Sequence, residues 1–210
     1  MIPSRAVLIL SAGLISGASM ANPPGQAPPR HGQSAGAHHA HGTASGAPPA
    51  VPVAIGRKVP DFSFTDLRGK TRKLSDLRKS SKSGIVSLTF WCSFCHSCRD
   101  MEARLNQVAK DWENEASVSA IDASAGDTAE RVRSFAKSKG LTLPILLDPP
   151  GASADLFGVR VTTTTVVIDG KGILRYRGRF AHGTTAYAED ALKAVLAGKA
   201  VSTAETSPSG

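Results

Sequence analysis

The chain has 210 residues, 25 Lys and Arg against 17 Asp and Glu for a net charge of +8, and three cysteines. The basic residues are scattered, and no zinc-finger, aromatic-basic or helix-turn-helix pattern accompanies them, which excludes nucleic-acid binding as the organising function. Residues 1–21 read MIPSRAVLILSAGLISGASMA. Arg5 supplies a short positive region, and the apolar run from Ala6 to Ala18 falls short of the ~20 residues of a membrane-spanning helix. Ser19 and Ala21 are small, as cleavage after Ala21 requires. The expectation is a cleaved signal peptide and a periplasmic or secreted protein without stable membrane insertion.

Residues 22–53 are rich in Pro, Gly, Ala, Ser and His. Nothing there is large and apolar enough to offset the entropy of ordering, so a disordered spacer is expected. His31, His38, His39 and His41 lie in it and invite weak metal binding. Residues 54–200 suit one folded domain, and residues 201–210 read as a polar tail.

Within the domain, residues 59–66 start extended, and a helical turn follows at 73–77 with Ser75 as its cap. Ile85 to Phe90 is β-branched and aromatic, which predicts a buried strand. Met101, Leu105, Val108 and Trp112 fall on one face of a predicted helix over 99–115. A strand is predicted at 117–121, and Asp122 to Asp127 is a small-residue loop. A helix follows over 128–139, carrying Val132, Phe135 and Ala136 and stopped by Gly140. A strand at 143–148, a helical turn at 152–157, a strand at 164–169, a hairpin partner at 173–177 and a helix at 184–196 complete the order. The pattern implies an α/β architecture, a central mixed sheet flanked by helices on both faces.

All three cysteines fall in Trp91-Cys-Ser-Phe-Cys-His-Ser-Cys98, between the first strong strand and the helix after it. A sulfur at a helix N-terminus meets unpaired N–H groups and the positive end of the macrodipole, which favours thiolate. Setting Cys92 just ahead of the helix and Cys95 in its opening turn makes Cys92 the nucleophile and Cys95 the resolving thiol. A purely structural bridge across so small a loop would stabilise little. Cys98 reads either as an inert buried thiol or as a second acceptor for the disulfide. His96 is placed to tune Cys95, or is simply a surface histidine.

Thr89-Phe-Trp-Cys-Ser-Phe-Cys resembles the Trp-Cys-x-x-Cys signature of the thioredoxin superfamily. Val59-Pro-Asp-Phe and Thr164-Thr-Val-Val-Ile-Asp-Gly-Lys-Gly resemble its exported TlpA/ResA and redoxin (AhpC/TSA-type) branch. The resemblance implies a thioredoxin-like fold and thiol–disulfide exchange with client proteins and a redox partner, supported by Trp91 and without a cofactor. It also implies a cis-proline at the position of Thr163, so a threonine stands where the backbone normally pairs with the client. Two alternatives remain open. Thr89-x-x-Cys92 matches part of a peroxiredoxin motif, pointing to a thiol-dependent peroxidase. The three thiols with His96 would suit soft ions in a copper- or zinc-handling module, although His182 is the sole further histidine of the fold and the ligand set is incomplete.

Overall fold

The computed structural model describes residues 51–207. The expected signal peptide, most of the spacer with its four histidines, and the last three residues lie outside them. Seven strands form one sheet: β1 (Ser63–Asp66), β2 (Thr71–Lys73), β3 (Ile85–Phe90), β4 (Ala116–Asp122), β5 (Ile145–Leu147), β6 (Thr164–Ile168) and β7 (Leu174–Arg179). Their spatial order is β2-β1-β5-β4-β3-β6-β7. The central trio β3, β4 and β5 is parallel, and every other pairing is antiparallel. Five helices connect them: α1 (Leu74–Lys79), α2 (Arg99–Asp111), α3 (Ala129–Lys139), α4 (Ala152–Phe157) and α5 (Tyr187–Leu196). The mixed sheet expected from the sequence is therefore present.

Strand alternation divides the core into two layers. Ile85, Val118, Ala120 and Val167 face Leu105 and Val108 of α2, Val132 and Ala136 of α3, and Ala191 and Leu192 of α5. Val86, Leu88, Phe90, Ile121, Val166 and Ile168 face Leu74 and Leu77 of α1 and Phe157 of α4. Because both faces are covered, β3 is buried at every residue, which is why its sequence shows no polar alternation. Among the described residues no helix is long and apolar enough to cross a membrane.

Three local expectations need correction. Ser75 does not cap α1: its N–H and hydroxyl donate to Asp61 at 2.9 Å each, while the Asp76 carboxylate accepts from Lys73 N–H. Helix α2 stops at Asp111 rather than Glu115, because Trp112 leaves the helix as its cap and residues 112–115 turn to enter β4. The described part of the polar tail, residues 201–207, belongs to the domain. Arg177 N–H donates to Ala204 O, and Thr206 N–H donates back to Arg177 O, so the tail covers the open edge of β7. The end of α3 follows the sequence: Thr128 Oγ1 accepts from Arg131 N–H at 3.2 Å, and Gly140 closes the helix at φ +65°.

Candidate active site

The cysteine segment lies at the carboxyl end of β3, where the parallel strands of an open α/β sheet usually present a site. Trp91 leaves the strand but stays in its register, donating its N–H to Ile121 O at 3.0 Å. Residues 92–98 are then irregular, and α2 starts only at Arg99 with Cys98 as its N-cap. This placement reverses the expected assignment of the thiols. A disulfide joins Cys95 to Cys98, with Cα atoms 5.4 Å apart, and Cys92 is free and buried. The expected pair Cys92/Cys95 assumed that Cys95 lies in the first turn of the helix. The six residues between Cys92 and Arg99 carry Cys92 away from the helix terminus, and Cys95 and Cys98 take the place at it.

The two bonded sulfurs differ. Cys98 is fully buried, whereas Cys95 keeps 8% of its surface. Cys95 Sγ accepts the N–H of Cys98 at 3.1 Å and lies 3.0 Å from Thr162 Oγ1 and 3.4 Å from Ser97 Oγ. These are donors that would stabilise a thiolate at Cys95. Cys92 has the opposite environment. Burial, and then the charge of Asp122, push its thiol up, and the amides of Phe94 and Cys95 only partly offset this. This environment disfavours thiolate at Cys92, where the sequence reading placed the nucleophile.

The other expected residues sort as follows. Trp91 is buried, 2% exposed; its Nε1–H donates to Glu102 Oε1 at 2.9 Å, and its ring lies 5.6 Å from that of Phe135. Arg99 sits over the Phe135 ring, 4.1 Å from its centroid, and binds Glu102 and the Ser93 carbonyl. Trp91 thus braces the segment from below. The exposed aromatic beside Cys95 is Phe94, at 58%. His96 is exposed, and its carbonyl accepts from Arg99 N–H at 3.2 Å.

Thr163 adopts φ +65°, a region a β-branched residue rarely enters. Its N–H donates to Phe90 O at 2.7 Å and its carbonyl accepts from Phe180 N–H. A proline would lose that donor and cannot reach that φ. The hydroxyl that meets the sulfur belongs to its neighbour, Thr162. Sequence reasoning missed Thr162, Phe94, Glu102 and the pair Asp122/Asp127. The run of four threonines was the signal for the first, and the two aspartates bounding the loop after β4 for the last. Among the described residues no group of three His, Cys, Asp or Glu side chains is arranged to hold a metal ion.

Cavities flank the Cys95–Thr162 contact. One of about 170 Å³ is lined by Phe90, Trp91, Ile121, Ala154, Val159 and Thr162. The other, about 410 Å³, is lined by Ser97, Met101, Arg104, Thr163, Phe180 and His182. The first is lined mostly by apolar side chains and the second by a mixture of polar, charged and apolar ones.

Comparisons with known proteins bear on the family and the fold. Residues 55–177 match the model of the AhpC/TSA family. The thioredoxin-like protein YneN of Bacillus subtilis is 32% identical over 126 residues, 60% of this chain and 71% of that protein. The thiol-disulfide oxidoreductase ResA of Geobacillus thermodenitrificans is 31% identical over 120 residues, 57% of this chain and 66% of that protein, just under two thirds of its length. A crystal structure of a hypothetical protein from Sinorhizobium meliloti superposes with a TM-score of 0.65 at 25% identity, covering 76% of this chain and 93% of that one. A putative thiol:disulfide interchange protein DsbE from Chlorobium tepidum superposes with a TM-score of 0.55 at 26% identity, covering 70% and 97%.

Proposed function

The chain belongs to the AhpC/TSA family, and from that premise and the geometry at Cys95 we propose an exported thiol–disulfide oxidoreductase working through Cys95 and Cys98. The fold and the kinship are those of thioredoxin-like oxidoreductases. The observation that carries the finer reading is the asymmetry of the bonded pair: Cys95 is the sulfur with surface and hydrogen-bond donors, and Cys98 is sealed behind it.

In the reduced protein the Cys95 thiolate attacks one sulfur of a client disulfide. The client S–S bond breaks, a mixed disulfide forms, and the client's other sulfur leaves as thiolate. The Cys98 thiolate then attacks Cys95 Sγ, closes the Cys95–Cys98 bond and releases the client's second thiolate. Two electrons have passed to the client, and a redox partner returns the protein to the dithiol. Run in reverse, the same steps oxidise a client dithiol. Exposed Phe94 and the groove beside Thr163 supply the surface on which a client segment would rest.

Thr162 has a measurable share in this chemistry. Thr162→Val removes a donor 3.0 Å from Cys95 Sγ. A hydrogen bond to a charged group is worth about 1.5–3 kcal/mol, so the reduced Cys95 thiolate is expected to be less favoured and its alkylation at neutral pH slower. The pH dependence of iodoacetamide alkylation checks this.

The reading is tested by reduction of insulin disulfides with a chemical dithiol as electron source, together with N-terminal sequencing of the protein recovered from outside the cytoplasm. Expected are catalysed reduction and a mature chain starting at Asn22. A peroxidase is disfavoured at Cys92, where burial pushes the thiol up; peroxide consumption that depends on Cys92 would reverse that view.

A further inference from the structure

Against the Ser93–Phe94 segment, and unused by the exchange steps above, lies a pair of buried carboxyl groups. Asp122 ends β4 at 1% exposure. Its Oδ1 accepts the N–H of Ser124 at 2.9 Å, while Oδ2 is buried with no donor to satisfy it. The neighbouring acid is Asp127, whose side chain is also 1% exposed. Asp127 Oδ2 accepts the N–H of Ser93 at 2.7 Å, and Oδ1 accepts the Ser93 hydroxyl at 2.5 Å. Two bare carboxylates in one buried site repel, and a shared proton removes the repulsion and satisfies the orphan oxygen together.

We propose that Asp122 and Asp127 share one proton and act as a positioning pair for disulfide exchange, holding the Ser93–Phe94 segment that carries Cys95. This rests on the exchange reading for its functional half. Asp127 grips Ser93 by backbone and side chain, two residues before the attacking sulfur. The same loop seats Phe94, whose ring packs so closely on Gly126 that a Cβ there would meet it at 3.0 Å. Asp122 keeps Asp127 in place by donating the shared proton to it.

The surroundings assign the proton to Asp122. Burial, then the contact with Asp127, push its carboxyl up to about 7. Burial also acts to raise Asp127, but hydrogen bonds from Asp122 and Ser93 outweigh it and hold that carboxyl below the usual range. The other charged or titratable groups around the pair are few. Arg131 of α3 reaches Asp127 at 4.0 Å, Cys92 faces the pair from the segment after β3, and Arg99 of α2 binds the Ser93 carbonyl. On the β5 side Asp148 donates its N–H to Asp122 O at 2.7 Å and turns its carboxylate to Ser153 N–H.

The sign of the pH effect follows. Asp122 in the folded chain holds its proton from its ordinary value of 3.8 up to about 7, where the unfolded chain has released it. Its contribution to stability is complete below about 4 and is lost as pH rises through about 7. Above that, the second charge loosens the grip on Ser93. Asn at position 122 donates permanently and cannot ionise.

Two measurements test the pair. In the wild type, ¹³C-carboxyl NMR of aspartate-labelled protein is expected to show one buried aspartate titrating near neutral pH, coupled to one that titrates below the usual range. Every aspartate titrating below pH 5 would overturn the proposal, whatever the fate of the exchange reading. In the exchange assay, Asp122→Asn is expected to match the wild type at pH 6 and exceed it about fivefold at pH 9, the worth of one hydrogen bond. Superimposable pH profiles would deny the pair a positioning role. A Cys95→Ser control that stays active would instead sink the exchange reading and leave the titration standing.

Discussion

Cys95→Ser is expected to abolish disulfide reductase activity, by a factor on the order of 10³ or more, as loss of a covalent nucleophile does. Cys92→Ser is expected to leave the rate within about threefold of wild type, because a nearly isosteric change in a well-packed site perturbs little. The contrast follows from position. Cys95 has an exposed edge and accepts from Cys98 N–H and the Thr162 side, so its thiolate is both reachable and stabilised. Cys92 keeps half that exposure, 4%, and burial pushes its thiol up. A steady-state comparison of the two variants with insulin as substrate checks this. Equal losses would mean that all three sulfurs turn over as one unit.

Phe157→Ala has the largest expected effect on stability. The side chain is fully buried and packs edge-on against Phe62 at 5.8 Å and Phe90 at 6.4 Å between ring centroids. It closes the α4 side of the sheet directly beneath the strand that delivers the cysteines. Truncation removes apolar contacts and leaves a cavity that the sheet cannot collapse to fill, a cost of about 3–5 kcal/mol. Chemical denaturation should show a lower midpoint with an unchanged slope, while the Cys95–Cys98 bond still forms. A shift of less than about 1 kcal/mol would mean that α4 is not tied to the core as its burial implies.

Much of this was legible in the chain. The strand Ile85–Phe90, the helix stop at Gly140 and the mixed sheet follow from hydrophobic period and turn residues, signals that act over a few positions. The resemblance to the redoxin branch also pointed to the right chemistry. The register of the cysteines was not legible, because Cys-x-x-Cys occurs twice in the same octapeptide and Trp91 stands before the first of them. Choosing between the pairs requires knowing where α2 begins, and the segment 92–98 offers Ser93 and Ser97 as rival caps while the helix uses neither. Cys98 itself caps the helix without a side-chain hydrogen bond. The roles of Thr162 and Asp127 were hidden for a different reason. Each meets its partner through the sheet: Thr162 lies 67 residues from Cys95, and Asp127 lies 34 residues from Ser93. Local periodicity carries no trace of such contacts. The tail was misjudged because polar residues that pair with a strand edge through their backbone look like any polar tail.

The identity of the attacking sulfur is the claim on which the rest depends, and trapping tests it most directly. Cys98→Ser removes the thiol that resolves the mixed disulfide, so the intermediate with a disulfide-bonded client peptide should accumulate. Mass spectrometry of its proteolytic fragments then locates the bond. The geometry requires the client sulfur on Cys95, with Cys92 recovered as free thiol. A client sulfur on Cys92 would contradict it.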